Sequence, residues 1–333
     1  MRKFVVLIII VLLSCGNFVA QSNTTKERLE KNAESAAKLL QTDPEKMLQN
    51  TKEILIEAKK SNAEKAELIC MKNLTNYWKI NNDFEKMMEQ AELMYQQASA
   101  YNNPVYQVMA KKFISEALKF SVLTERALLE LEQARTLLSK FNDQDSLTRS
   151  VKSDLFITFS NYYDLKGMPR EKLYYTKLAG EEIKKIPNEK YRKLSLYVYY
   201  SNLGLAYKEQ GNIDSAQFYF QKSLASEKDY KRPDIDFTTL SALGATYLQQ
   251  KNYRKALIFF KSAEKIDARK NHINLQNLYS NIITTYSTLN IADSARIYQA
   301  KKDSLDLAIV KSQNKSLNKL LVEDKKHSDS WYK

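Results

Sequence analysis

Apolar residues along this chain recur at helical spacing, and no stretch alternates with period two for long, so the pattern predicts helices and no sheet. Between Tyr197 and Leu305 the same pattern is written three times. The copies are NLGLAYKEQGNIDSAQFYFQKSLA (Asn202 to Ala225), ALGATYLQQKNYRKALIFFKSAE (Ala242 to Glu264) and NIITTYSTLNIADSARIYQAKKD (Asn281 to Asp303). Tyr207, Tyr247 and Tyr286 fall 40 and 39 residues apart, and Ala216, Ala256 and Ala295 keep the same intervals. A fixed period of this length, with an aromatic in one helix and an alanine in the next, marks stacked helix-turn-helix hairpins. The alanines have a physical reason: a small side chain lets the two helices of a hairpin cross closely. All three are expected to be buried at those crossings, with Gly204 and Gly244 serving the same purpose on the first helix.

The pattern weakens toward the N-terminus without vanishing. In NYYDLKGMPREKLYYTKLA, Tyr163 aligns with Tyr207 and Gly167 with Gly211, but Lys172 stands where alanine is expected. RALLELEQA supplies Ala127 and Ala134 at the spacing of a second helix, and NYWKINNDFEKMMEQAELM aligns Trp78 with Tyr207 and Met87 with Ala216. Asp43-Pro44 reads as a helix cap followed by a first-turn proline. About six helix pairs, or twelve helices, are expected between Lys26 and Leu305, the outer ones divergent as terminal repeats are. Only 6 Gly and 5 Pro in 333 residues argue further against a turn-rich β fold.

The residues Leu203, Gly204, Tyr207, Gly211, Ala216, Phe220 and Ser223, and again Gly244, Tyr247, Ala256, Phe260 and Ala263, resemble the tetratricopeptide repeat. The third copy departs from that pattern, with Ile283 at the first glycine and Asn290 at the second. The intervals exceed the family's usual length of about 34 residues, which points to longer helices or longer links. The resemblance implies an all-α, right-handed superhelix of antiparallel pairs over residues 26–290, whose concave groove is lined by the first helix of each pair. It implies a protein or peptide partner and no catalysis.

In the alignment Ser201, Ser241 and Ser280 share one position of the first helix, and Asn73, Asn202 and Asn281 the next. With Thr284 they are expected to form a small polar strip on the groove wall, where asparagine amides can pair with an extended peptide backbone. The competing reading is that these residues bond the neighbouring helix. The lysine-rich clamp by which some family members hold a peptide's terminal carboxylate is missing: Ser and Asn stand where it needs Lys or Arg.

The first twenty residues change the picture of where this happens. Met-Arg-Lys precedes an unbroken apolar run from Phe4 to Leu13, a pattern of export signals and too short to span a bilayer as a mature helix. Two processing routes stay open: cleavage after Ala20, or lipidation of Cys15 in a loose lipobox, Leu12-Leu13-Ser14-Cys15. Either places the mature protein in the periplasm or cell envelope. Cys70 is then the remaining cysteine, with no intrachain disulfide partner, and it reads as a small buried hydrophobe.

Charge is uneven. Residues 21–150 balance 19 Lys plus Arg against 19 Asp plus Glu, whereas residues 151–333 carry 31 against 20. The excess clusters at Lys251, Arg254, Lys255, Lys261, Lys265, Arg269 and Lys270, which reads as a solvated lysine-rich helix face or as a surface that attracts an acidic partner or an anionic membrane. Export argues against nucleic acid. No metal-ligand spacing, phosphate loop or nucleophile elbow appears, and the two histidines, His272 and His327, are far apart, so neither cofactor nor metal is expected. The acidic pairs Glu130/Glu132 and Glu181/Glu182 read as exposed faces.

Residues 291–326 hold no Gly or Pro and are expected to form a long C-terminal helix, ahead of a polar tail at 327–333. Leu307, Val310, Asn314, Leu317 and Leu321 step by 3 and 4, a short coiled-coil seam through which a homodimer would form. Export signal, repeats and linker helix together resemble the extracytoplasmic half of Bacteroidetes-type membrane regulators, which continue into a membrane helix and an AraC-type or histidine-kinase output. Two function classes follow. One is an exported interaction module that binds a peptide or protein; the other is the ligand-sensing part of such a regulator.

Overall fold

The computed structural model describes residues 23–119, 123–141, 145–226, 233–266 and 272–310. These residues form fourteen α-helices and no strand, two helices more than the repeat pattern suggests. In order they are α1 (23–37), α2 (Pro44–Lys60), α3 (Glu64–Ile80), α4 (Phe84–Ala100), α5 (Pro104–Lys119), α6 (Thr124–Leu137) and α7 (Ser146–Leu165). There follow α8 (Pro169–Lys184), α9 (Glu189–Glu209), α10 (Ile213–Ser226), α11 (Pro233–Gln249), α12 (Tyr253–Glu264), α13 (His272–Thr288) and α14 (292–310). The chain divides into two compact units, Met1–Ile114 and Ser115–Lys333.

In the first unit the helices are evenly cut. α2, α3 and α4 are 17 residues each, and every turn after them puts one asparagine in the left-handed region: Asn62 at φ 48°, Asn82 at 55° and Asn102 at 49°. The next residue closes the helix, its N–H donating back to the carbonyl five positions earlier, as Asp83 does to Trp78 at 3.1 Å and Asn103 to Ala98 at 2.8 Å. That same residue starts the following helix: Asp83 Oδ1 accepts from Lys86 N and Asn103 Oδ1 from Tyr106 N. Asp43 caps α2 in the way its sequence suggests, accepting from Lys46 N with Pro44 in the first turn. The core is rich in methionine and alanine, with Met47, Met87, Met94, Ala58, Ala66, Ala91 and Ala98 fully buried. Leu29 of α1 packs with Ala58, Ala63 and Ala66; α1 is a helix without the repeat's marker residues, which is why the pattern does not reveal it.

The second unit is the region of the clear repeats. Its hairpin turns use the same left-handed device with different residues: Gly167, Gly211, Lys251 and Asn290. In each, the residue that follows donates its N–H to the carbonyl of the repeat's tyrosine, Tyr163, Tyr207, Tyr247 or Tyr286, at 2.8–3.0 Å. The repeat's glycines face phenylalanines. A Cβ on Gly204 would lie 2.5 Å from the Phe220 ring, and one on Gly244 2.6 Å from Phe260. Ala216 and Ala256 are fully buried beside those rings. Ala295 is not: it is half-buried, because α14 is the last described helix and no described hairpin covers its far side. Three of the four repeat tyrosines stack on an aromatic of the second helix, with ring planes within 12° for Tyr163 on Tyr175, Tyr207 on Tyr219 and Tyr247 on Phe259, while Tyr286 meets Tyr298 at 31°. α14 packs through Tyr298, buried in the cluster of Phe237, Phe260 and Ile282.

Candidate functional site

In the second unit the first helices α7, α9, α11 and α13 touch one another from hairpin to hairpin, so equivalent positions on them form a continuous row. Ser201 and Asn202 lie on α9, Ser241 on α11, and Ser280, Asn281 and Thr284 on α13. Asn73 lies on α3, in the first unit.

Two of these positions turn inward, against the sequence expectation. Asn73 is buried, and its Nδ2 donates to the Ala33 carbonyl at 2.9 Å, tying α3 to α1. Ser201 is buried with its hydroxyl 2.7 Å from that of Thr239, tying α9 to α11. Both serve helix packing and are withdrawn from the strip. The others retain open surface. Asn202 is half-buried, its Nδ2 donating to the Val198 carbonyl at 3.0 Å, which leaves its side-chain oxygen as an acceptor. Asn281 is half-buried, and its side chain makes no hydrogen bond among the described residues. Ser280 and Thr284 donate to the carbonyls one turn back, Gln276 and Ser280, and Thr284 is exposed.

Ser241 departs from its equivalents. Its hydroxyl oxygen is buried and has no hydrogen-bond partner among the described residues. The repeat explains this. Thr239, which serves Ser201, stands eight residues before Tyr247; eight residues before Tyr286 stands Leu278, a core residue with nothing to donate or accept. An unpaired buried hydroxyl is unfavourable by about 1–3 kcal/mol.

The electrostatics centre on a residue the family pattern marks as odd. Lys172, at the alanine position of its repeat, is buried, with Nζ 2.7 Å from Asp164 and 3.2 Å from Glu209. It joins α7, α8 and α9. Burial raises both carboxyls, but hydrogen bonds from Glu209 and Lys172 hold Asp164 below its ordinary value, while burial and the Asp164 contact keep Glu209 above its own. Glu209 is therefore the member of the pair that takes up a proton first as pH falls. Glu182 is not an exposed acid: it pairs with Arg149 at 2.7 Å and Lys185 at 3.0 Å, and these partners outweigh burial and lower its pKa. Glu130 is also buried. Glu264 binds Lys301 and Lys261 and accepts from the Tyr298 hydroxyl; it too lies below its ordinary value despite burial. Of these pairings, sequence offered a signal only for Lys172, a cation where the repeat needs a small residue.

Cys70 is buried, and burial, reinforced by Glu67, pushes its thiol up to about 12, so it stays protonated and unreactive. Among the described residues no group of three or more His, Cys, Asp or Glu is placed to hold a metal ion, and no helix is long and apolar enough to cross a membrane. Cys15, the segment 1–20, and Asn314, Leu317 and Leu321 of the seam lie outside the described residues; Leu307 and Val310 are exposed on α14.

The hairpins of α9 to α12 are the ones a family model covers: residues 195–269 match the family model described as tetratricopeptide repeat. No curated protein matches the sequence. Among solved structures, the chain is similar to NprR in complex with its cognate peptide NprX, with a TM-score of 0.54 at 16% identity over 92% of this chain and 83% of that one. It is similar also to the STAND protein with a tetratricopeptide repeat sensor, PH0952, from Pyrococcus horikoshii, with a TM-score of 0.56 at 16% identity over 91% of this chain and 47% of that one. A Rap protein complexed with Competence and Sporulation Factor gives a TM-score of 0.52 at 10% identity, over 86% of this chain and 99% of that one. At these identities the likeness establishes the fold alone, a helical solenoid.

Proposed function

We propose that this protein is an exported, non-catalytic interaction module that holds an extended peptide or protein segment against the first helices α9, α11 and α13. The observation that carries the reading is a pair of under-used polar groups on the first helices α9 and α13: the Asn202 side-chain oxygen and the Asn281 amide, which has no partner among the described residues. A peptide backbone offers alternating donors and acceptors, which is what such a pair lacks. The peptide-bound NprR structure, similar in fold, supports the same use of the scaffold. The basic excess of residues 151–333 favours an acidic segment.

The test begins with peptides selected from a random library on the purified chain. Asn202→Ala with Asn281→Ala should weaken the selected peptides by about 1–3 kcal/mol, the effect of leaving polar groups unpaired. Ser241→Ala should weaken them less, since it also removes an unsatisfied group from the free protein. Affinities unchanged in the double variant would remove the strip from the binding surface.

A further inference from the structure

Two residues beyond the alanine position of each hairpin, on the second helix, the second unit repeats a large apolar side chain. These are Leu129, Tyr174, Phe218, Ile258 and Ile297, on α6, α8, α10, α12 and α14. All five are exposed, at 56%, 58%, 51%, 62% and 59%. A single exposed leucine needs no explanation; the same register position left apolar and uncovered in five successive hairpins does. In the first unit that position, two residues after Met87, is the exposed Glu89.

Four cations beside this ladder are uncompensated. Lys177, three residues after Tyr174, Lys222, four after Phe218, and Arg254 and Lys255, one turn before Ile258, are exposed and make no ion pair among the described residues. Lys222 instead lies 4.6 Å from the Phe218 ring centre. Lysines elsewhere in the unit, among them Lys166, Lys184, Lys185 and Lys193, do find carboxylates. On α12 the contrast is greatest: Arg254 and Lys255 share a stripe with Ile258, and the helix's one acid, Glu264, is taken by Lys261 and Lys301.

We propose that this flank docks on an anionic lipid surface, with Tyr174, Phe218, Ile258 and Ile297 entering the headgroup layer and Lys177, Lys222, Arg254 and Lys255 meeting phosphates. Charge decides among occupants. A second copy of this chain would set unpaired cations against unpaired cations. An acidic protein would need a recess for each of four side chains that stand singly on helix crests among polar neighbours. A headgroup layer accepts isolated apolar side chains anywhere along it, and rewards each adjacent cation. The surface lies on the second helices and is independent of the peptide strip on the first.

The test is sedimentation of the full chain with vesicles of phosphatidylcholine alone, or of phosphatidylcholine mixed with phosphatidylglycerol. Binding to the mixed vesicles, weak or absent on neutral ones and reduced by salt, is expected. Arg254→Gln with Lys255→Gln should lower that binding about 10-fold or more, at about 1 kcal/mol for each charge near the surface. Phe218→Ser with Ile258→Ser should lower it too, with helical circular dichroism unchanged because both side chains are exposed. Asn202→Ala with Asn281→Ala should leave it intact. Wild-type protein that ignores the anionic vesicles, or variants that bind them as wild type does, would overturn the proposal, and the first result would hand the ladder to an acidic protein.

Discussion

The two units solve the same packing problem with different side chains. Where hairpin helices cross in the second unit, a glycine on one helix receives a phenylalanine ring from the other, with no room for a single added carbon at Gly204 or Gly244. In the first unit Met47, Met87 and Met94 are fully buried, alongside fully buried alanines. Methionine is unbranched and adapts to irregular gaps, whereas a ring against a glycine fits one way. The second unit's core is thus the more exacting, and it is the one whose sequence declares the fold.

The largest effect should come from emptying the exacting site. Phe260→Ala should destabilise the protein by about 3–5 kcal/mol in chemical denaturation. Gly244→Ala alone should also destabilise, by about 1–3 kcal/mol, since its Cβ would meet the Phe260 ring and lie 3.2 Å from the Ala256 carbonyl. The two together should cost less than their sum, because the ring that excludes the carbon is gone. Met87→Leu in the first unit should cost below about 1.5 kcal/mol. Equal costs for Met87→Leu and Gly244→Ala would erase the distinction between the two cores.

Acid should act next, and mainly on the second unit. Glu182, Glu264 and Asp164 all lie below their ordinary values in the folded state. Their contributions are complete above the unfolded carboxylate range and are lost as pH falls through the folded values. Glu209 has the opposite sign: raised when folded, it contributes at acid pH and loses that contribution as pH rises through its folded value. Three groups against one predicts a Tm that drops on acidification below about pH 4. Glu209→Gln, which fixes the protonated form's hydrogen bonding, should leave that drop in place. Glu264→Gln should shrink it.

The sequence showed most where a residue type was forced. Glycine against phenylalanine, alanine at a crossing and tyrosine at a fixed interval are all consequences of close approach, so they recur and can be read at 40 and 39 residues. It showed least where the partner lies on another helix. Nothing in the row of serines separates Ser201, bonded to Thr239, from Ser241, for which the equivalent register position is Leu278; the difference sits nearly forty residues downstream. Asn73 aligned with Asn202 and Asn281, yet α1 covers it, and α1 carries no repeat marker. The exposed ladder was legible in principle, since its register is fixed, but only the burial of its neighbours shows that nothing covers it.

The smallest effect sharpens the comparison at the turns. Every hairpin turn described needs one left-handed residue, and Lys251, at φ 58°, is the poorest choice among them. A side chain with a Cβ is disfavoured there by about 1–2 kcal/mol, asparagine less because its short amide can bond locally, and glycine not at all. Glycine also loses more backbone freedom on folding, which offsets part of the gain. Lys251→Gly should therefore stabilise the second unit by about 0.5–1 kcal/mol, while Asn62→Gly in the first unit should change stability by a few tenths at most. Lys251 is exposed and makes no ion pair among the described residues, so the substitution removes no contact that would confuse the measurement. A Lys251→Gly variant no more stable than Lys251→Ala would mean that the turn relaxes away from the left-handed region when released, and that the tyrosine carbonyl of Tyr247, which accepts from Asn252 at 2.8 Å, does not hold it there.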